Sequence, residues 1–159
     1  MDTVIESLRN LKDSYSQVGN CLSVYLGGAM DNVDPSFAVG WRKDAKTALQ
    51  RHGFIVYDPT DGKDHYKQGK RKIYNKTTSQ TEIVTPDLKC IGKSHILLVE
   101  ISRKDIPYHG TSMELVYGKW WEKHIYVWGD CKSPWVIHHS TKMFPYMEDA
   151  LNYILTNHK

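Results

Sequence analysis

Short apolar runs alternate with segments of helical periodicity, and this alternation most constrains what the chain can fold into. The apolar runs are CLSVYLG at 21–27, FIVY at 54–57, HILLVEI at 95–101, HIYVW at 124–128 and WVIHH at 135–139. Helical periodicity or a helix-start signal marks four segments between or after these runs. The predicted helices span 36–52, Thr85 to about 92, Gly110 onward, and a last segment containing Met147 to Leu155. We therefore predict an α/β fold: a single-domain, mostly parallel, flavodoxin- or Rossmann-like sheet of about five strands with helices on both faces.

Two segments stand apart from this pattern. Residues 2–16 have apolar side chains at helical spacing, and we predict an appended N-terminal helix within residues 1–20, with the main domain spanning 21–159. Residues 63–76 are rich in lysine and have no useful period, which is typical of a long surface loop. The loop's positive charge allows a nucleic-acid interface or a simple solvated loop.

Composition limits the class of function. The net charge of +3 is mild, so the dense basic face of a nucleic-acid-binding protein is not expected. Cys21, Cys90 and Cys131 are widely separated and form no metal-ligand spacing, which favours a reduced, cytoplasmic chain without structural zinc. No signal peptide or membrane-spanning run is recognisable. We expect a soluble protein with no metal, no cofactor and no membrane partner.

The predicted sheet indicates where a ligand would bind. In parallel α/β sheets the ligand lies beyond the carboxyl ends of the strands. Three segments reach that edge here: 27–34 after the first strand, the chain from Asp58 after the second, and 102–114 after the strand HILLVEI. The candidate site residues therefore come from these segments and from the helix starts beside them.

Two carboxylates lie in helices that approach this edge. If a helix begins at Gly110 or Thr111, Glu114 falls in its first turn, and Asp87 falls in the first turn of a helix capped by Thr85. Both positions also suit a carboxylate that merely stabilises the helix end, and Thr111 to Glu114 matches a capping box. Together at one edge, the pair would suit chemistry at an anomeric carbon, with one nucleophile and one proton-transfer group.

The first strand adds a tyrosine and two glycines. Tyr25 lies just before Gly27 and Gly28, and its hydroxyl could orient a catalytic carboxylate, although a strand tyrosine is more often core filler. The two glycines allow a ligand to approach the backbone closely. A lone Gly-Gly is a weak signal, since it forms neither of the common phosphate-binding glycine motifs.

Five ordered motifs resemble those of a known enzyme family. They are VYLGGAM at 24–30, GWR at 40–42, PDL at 86–88, the apolar strand that follows, and GTSMELVYG at 110–118. In order and spacing they resemble the nucleoside 2-deoxyribosyltransferase superfamily, which includes the 2′-deoxynucleoside 5′-phosphate N-hydrolases. The resemblance extends from Cys21 to the last helix.

The resemblance implies roles for particular residues. Glu114 would be the nucleophile that forms a covalent glycosyl-enzyme, Asp87 would act at the sugar hydroxyls or in proton transfer, and Tyr25 would hydrogen-bond the nucleophile. The loop after the first strand would line the sugar or phosphate pocket. The substrate-binding residues that we expect are Gly27, Gly28, Ala29, Met30, Asp31, Trp41, Tyr108, Gly110 and Met113.

Two departures from the family pattern leave the sugar acceptor open. Tyr108 stands where the transferases have an aspartate that helps to protonate the base, which favours water as acceptor. Asp31 stands in the loop where the hydrolases bind phosphate, and a carboxylate is a poor phosphate ligand, which favours a free deoxynucleoside. Three hypotheses of function therefore remain: a deoxyribosyl transferase, a deoxynucleotide N-hydrolase and a non-catalytic nucleotide-binding module.

The resemblance also implies a homo-oligomer with shared active sites. Four tryptophans, Trp120, Trp121, Trp128 and Trp135, together with the N-terminal helix, offer apolar surface for such an interface. The same tryptophans could equally fill the core, and the sequence does not separate these alternatives.

Overall fold

A computed structural model describes residues 21–62 and 80–158, which form five strands and five helices in alternation. The strands are β1 (Ser23–Gly27), β2 (Ile55–Tyr57), β3 (Ile96–Glu100), β4 (His124–Trp128) and β5 (Lys142–Phe144). The helices are α1 (Pro35–Arg51), α2 (Gln80–Lys93), α3 (His109–Trp120), α4 (Pro134–His139) and α5 (Met147–Asn157). The predicted appended helix within 1–20 and the basic loop at 63–76 lie outside the described residues.

The five strands form one parallel sheet in the order β2-β1-β3-β4-β5. In the register, Tyr25 of β1 lies between Tyr57 of β2 and Leu97 of β3. This is the flavodoxin-like order, whose topological switch point lies between β1 and β3. The predicted single-domain α/β fold is therefore confirmed.

Two apolar layers cover the sheet. On one face α1 and α5 pack on side chains such as Leu26 and Leu98, and on the other α2, α3 and α4 pack on Tyr25, Leu97 and Val99. The residues of β1 and β3 are buried along their whole length, as expected for central parallel strands covered on both faces.

The segment WVIHH is a helix, so the prediction of a strand there was wrong. Ser133 is the extended cap residue and Pro134 occupies the first helical position of α4. A proline suits that position because its missing N–H would have no helical partner there. The fifth strand lies three residues further on, at Lys142–Phe144. Apolar runs this short carry too few residues for periodicity to distinguish strand from helix.

Two helices begin elsewhere than predicted, and both differences concern the carboxylates. Helix α2 begins at Gln80, so Pro86 and Asp87 lie inside it rather than at its start. Helix α3 begins at His109, its cap residue is Tyr108, and no side chain caps its first turn. Glu114 is therefore in the second turn and forms no capping box. The position of Glu114 is therefore not explained by stabilisation of the helix start.

None of the helices in the described part of the chain combines the length and the apolarity needed to cross a membrane.

Candidate active site

A cavity of about 450 Å³ opens at the carboxyl ends of β1 and β3, at the switch point of the sheet. The loop after β1, helix α2 and the beginning of α3 form its walls. Its lining residues are Gly28 to Asn32, Ile83, Val84, Asp87, Leu88, Pro107 to Thr111, Met113, Glu114 and Tyr117. This is the position at which open parallel sheets bind ligands.

A tyrosine and a carboxylate from opposite sides of the switch point meet beside this cavity. The hydroxyl of Tyr25, in β1, donates a 2.7 Å hydrogen bond to Oε1 of Glu114, in α3. Tyr25 is completely buried, whereas Glu114 is half-buried and lines the cavity. Tyr25 thus fixes the carboxylate of Glu114 from behind while leaving that residue in contact with the cavity.

Tyr25 remains a hydrogen-bond donor over a wide pH range. Its burial, followed by the negative charges of Glu114 and Asp87, raises the pKa of Tyr25 well above that of a free tyrosine. A phenolate beside two carboxylates would be strongly disfavoured, so the proton stays on Tyr25.

Gly27 makes room for the carboxylate. A Cβ atom at position 27 would lie 3.0 Å from Oε2 of Glu114 and 3.3 Å from Val99. A side chain at this position would therefore push the carboxylate out of its place. Gly27 shapes the back of the site although it is absent from the cavity wall.

Asp87 and Glu114 line the same cavity from different helices. Asp87 is half-buried in α2, and its charge contributes to the raised pKa of Tyr25. The sheet thus brings together Tyr25, Asp87 and Glu114, the three residues that the sequence pointed to as a catalytic group. Asp87 reaches the site from the middle of a helix rather than from its first turn.

The loop after β1 requires glycine at position 28. Gly28 has a φ of +151°, and a Cβ atom there would lie 2.9 Å from Cβ of Glu100 and 3.0 Å from the Trp41 ring. Either the positive φ or the short contacts alone would disfavour a side chain at position 28. The tight passage turns the chain so that Ala29, Met30 and Asp31 form one wall of the cavity.

Arg42 holds this loop from inside the protein. The guanidinium is fully buried and donates to the carbonyl oxygens of Gly28 at 2.9 Å, of Ala29 at 3.4 Å and of Ala38 at 2.7 Å. Its Nε lies 3.9 Å from Oδ1 of Asp58.

Burial lowers the pKa of Arg42, and nearby acidic groups, among them Asp58, Glu114 and Glu100, oppose that shift. The sequence motif GWR contained Arg42, but nothing in its spacing indicated that the charge would be buried.

Tyr108 lines the cavity, but its hydroxyl points to a protein carboxylate. It donates a 2.8 Å hydrogen bond to Oε1 of Glu100 and accepts one of 3.0 Å from the backbone N–H of Arg103. Burial is the main cause that raises the pKa of Tyr108. Tyr108 is therefore a hydrogen-bond donor already engaged by Glu100.

The other expected substrate-binding residues differ in their placement. Gly28, Ala29, Met30, Asp31, Tyr108, Gly110 and Met113 line the cavity. Trp41 does not: it is buried in the core, where its ring packs edge-on against Trp128 with centroids 5.6 Å apart. Trp41 thus lies on the sheet face covered by α1 and α5 and outside the lining of this cavity.

Several wall residues had no sequence signal. Ile83, Val84 and Leu88 of α2 give one side of the cavity an apolar surface, and Tyr117 of α3 adds an aromatic ring. In the sequence they are indistinguishable from the apolar face of an ordinary amphipathic helix.

Glu100 was also missed, although a glutamate at the end of an otherwise apolar strand is an unusual feature.

No group of three or more histidine, cysteine or acidic side chains suited to a metal ion occurs within 21–62 or 80–158. The cavity brings together a carboxylate, a tyrosine donor and a second carboxylate beside apolar walls. Such a set can hold a nucleophile, orient it and move a proton.

The sequence matches no protein-family model and none of the curated proteins with which it was compared.

Proposed function

We propose that this protein cleaves the N-glycosidic bond of 2′-deoxynucleosides through a covalent intermediate on Glu114. The observation that carries the proposal is the 2.7 Å hydrogen bond from Tyr25 to Glu114 at the wall of the switch-point cavity. A buried donor that fixes a cavity carboxylate is the arrangement expected for an oriented nucleophile.

In the first step the Glu114 carboxylate attacks C1′ of the sugar. The C1′–O bond forms as the C1′–N bond breaks, and the base leaves with the bonding electrons and gains a proton. Asp87 is the candidate for holding the sugar hydroxyls or supplying that proton, since it lines the same cavity. Tyr25 keeps the carboxylate aimed while charge on Glu114 is consumed.

In the second step an acceptor attacks C1′, the C1′–O bond to Glu114 breaks, and Glu114 leaves as a carboxylate. The acceptor loses a proton in this step, and Asp87 is the candidate to receive it. When a second base is the acceptor, deoxyribose is exchanged between bases and the protein is a deoxyribosyl transferase. Apolar wall residues such as Ile83, Val84 and Leu88 are suited to hold a flat base in place.

The alternative acceptor is water, which would make the protein an N-hydrolase, including one that acts on 5′-monophosphates. The engagement of Tyr108 by Glu100 favours this alternative, because it leaves no free acid at the position where the transferases protonate the base. Both routes share the first step and the same nucleophile.

Assembly and location follow as further expectations. We expect a cytoplasmic homo-oligomer, with Cys21, Cys90 and Cys131 as free thiols. Met113, Val116 and Trp120 form an exposed apolar stripe along α3, directly beside the cavity. A neighbouring subunit on this stripe would add residues to the site. Size-exclusion chromatography with light scattering measures the assembly state.

The test of function is product analysis by chromatography. Purified protein is incubated with deoxynucleosides and their 5′-monophosphates, each with and without a free acceptor base. New nucleoside that depends on the acceptor base indicates a transferase, and free base without an acceptor indicates a hydrolase. Tight binding with no product across the panel would contradict the proposal and identify a non-catalytic binding module. The matched control is Glu114→Ala, which we expect to give no product.

A further inference from the structure

We propose that Glu100 is a positioning residue that joins two walls of the cavity, the loop after β1 and the start of α3, and thereby sets the spacing of the substrate site. The inference deepens the proposed function and rests on it, because substrate turnover is one of its two readouts. Glu100 does not line the cavity itself. It acts through Ala29 on one wall and through Tyr108 on the other.

The carboxylate of Glu100 is wholly buried at the end of β3. Oε1 accepts hydrogen bonds from Ser102 N and Ser102 Oγ, each at 2.6 Å, and from the Tyr108 hydroxyl at 2.8 Å. Oε2 accepts a longer bond of 3.4 Å from the backbone N–H of Ala29. Every one of these partners is a donor, and an ionised carboxylate is the side chain that only accepts.

The first wall is held between two buried charges of opposite sign. Glu100 accepts from the amide of Ala29, and Arg42 donates to the carbonyl oxygens of Gly28 and Ala29. The backbone of Gly28 also passes so close to Glu100 that a Cβ atom there would come within 2.9 Å of Cβ of Glu100. The loop therefore has little freedom to move relative to the end of β3.

The second wall begins at Tyr108, the cap residue of α3. Its ring lines the cavity and packs with Ala29, Val33 and Ala38, while its hydroxyl reaches Glu100. Helix α3 carries Glu114 further along. By holding Tyr108, Glu100 therefore fixes the start of the helix that presents the nucleophile.

A glutamine at position 100 would disturb one of the two walls, namely the wall that its NH₂ group faces. Its amide has one acceptor oxygen and one NH₂ group, so one wall would meet a donor where it now meets an acceptor. Where the NH₂ group faces another donor, no hydrogen bond forms, and buried N–H or O–H groups are left without an acceptor. Tyr108→Phe is milder, because it deletes one hydroxyl and keeps the ring on the cavity wall.

The experiment measures kcat and KM for wild type, Glu100→Gln, Tyr108→Phe and the double variant, at a temperature where all are folded. We expect Glu100→Gln to lower kcat/KM by about 10-fold or more, as for loss of hydrogen bonds to a charged group. We expect Tyr108→Phe to raise KM by about 5-fold with kcat little changed, a mild effect because Ser102 still donates two hydrogen bonds to the same carboxylate oxygen. Their combined effect should be smaller than the product of the two, because both act through one contact.

The matched control is Tyr126→Phe. The hydroxyl of Tyr126 is hydrogen-bonded to Nε2 of His158, in another part of the molecule, so its loss tests the effect of removing a buried tyrosine hydroxyl in general. A purely structural role of Glu100 or Tyr108 would reduce the folded fraction and the apparent kcat, and leave KM unchanged. That pattern, or unaltered kcat/KM in Glu100→Gln, would overturn the inference.

Hydrogen exchange separates this inference from the proposed function. In Glu100→Gln we expect faster exchange at the amide that faces the new NH₂ group, either that of Ala29 or that of Ser102, and unchanged exchange in β4. If wild-type protein turns over no substrate, the proposed function fails while exchange still decides whether Glu100 joins the walls. If turnover is present and neither exchange nor kcat/KM responds to Glu100→Gln, the positioning role fails and the function stands.

Discussion

The hydroxyl of Tyr25 donates to Oε1 of Glu114 at 2.7 Å, although the two residues are 89 positions apart in the sequence. The parallel sheet makes this contact possible, because the ends of β1 and β3 lie side by side. Tyr25 comes from within β1, and Glu114 from the helix that follows β3. The candidate nucleophile is thus held by a tyrosine from the neighbouring strand at the switch point of the sheet.

Tyr25→Phe tests that orientation without changing the size of the buried side chain. The variant removes a hydrogen bond to a charged carboxylate, a contact worth about 1.5–3 kcal/mol. We expect kcat to fall by about 10-fold or more, since 1.4 kcal/mol corresponds to a factor of ten. Steady-state kinetics on the best substrate of the panel measures the effect, and Tyr126→Phe is the control. Wild-type kcat in Tyr25→Phe would show that the hydrogen bond has no catalytic role.

Gly27→Ala tests the space behind the carboxylate. The added methyl would approach Oε2 of Glu114 to 3.0 Å, so the carboxylate must move away from its place. We expect kcat/KM to fall by at least about 10-fold, in line with the sensitivity of catalysis to small misplacements of reacting groups.

Gly40→Ala is the matched control for this glycine, because position 40 has no heavy atom within 4 Å of an added Cβ. We expect its kcat/KM to stay at the wild-type value. Equal activities of Gly27→Ala and Gly40→Ala would contradict the role assigned to Gly27.

The stability of the fold should decrease in mild acid through His95. Its Nδ1 accepts the backbone N–H of Ser23 at 3.1 Å, so the folded protein requires the neutral ring with its proton on Nε2. Burial, followed by the charge of Lys123, lowers the pKa of His95. Folding thus favours the neutral form, and this contribution is fully present above the unfolded pKa of about 6.5.

Stability should therefore fall as the pH drops below about 6.5, where the unfolded chain takes up the proton first. Urea unfolding midpoints between pH 7.5 and 5.5 measure the change. His95→Asn keeps an acceptor but cannot titrate, so its midpoint should depend less on pH. His158, whose pKa is lowered by burial and by His124, supplies part of the remaining dependence. An identical decrease in wild type and His95→Asn would exclude His95 as the cause.

The sequence predicted the strands better than the helix ends. The strands β1, β3 and β4 were recognisable because their apolar runs are continuous, as buried parallel strands require. The edge strand β2 was recognisable from the short apolar run FIVY, although it is only partly buried. The start of α2 was misplaced because Thr85-Pro86 has the local chemistry of a helix start, although the helix begins earlier, at Gln80. Local signals of this kind cannot show that a longer helix passes through them.

The sequence indicated the candidate-site residues that have ionisable or polar side chains near the ligand edge. It did not indicate the residues whose role depends on burial in the folded protein. Glu114, Asp87 and Tyr25 were chosen as ionisable or polar groups near the ligand edge, and the fold brings them together. Arg42 and Glu100 were missed because their importance depends on burial, which arises only when β1, β3 and α1 pack. Trp41 was expected at the substrate but lies in the core layer, since an aromatic residue in a motif gives no sign of which way it faces.

The most direct test of the central claim is the intact mass of the protein after reaction with a 2′-fluorinated deoxynucleoside. Fluorine at C2′ disfavours the oxocarbenium-like transition states and should allow the covalent intermediate to accumulate. We predict an added fluorodeoxyribosyl unit on wild-type protein, located by peptide mapping to Glu114, and none on Glu114→Gln. Base release at the wild-type rate by Glu114→Gln, or an adduct mapped to another residue, would contradict the assignment of Glu114 as the nucleophile.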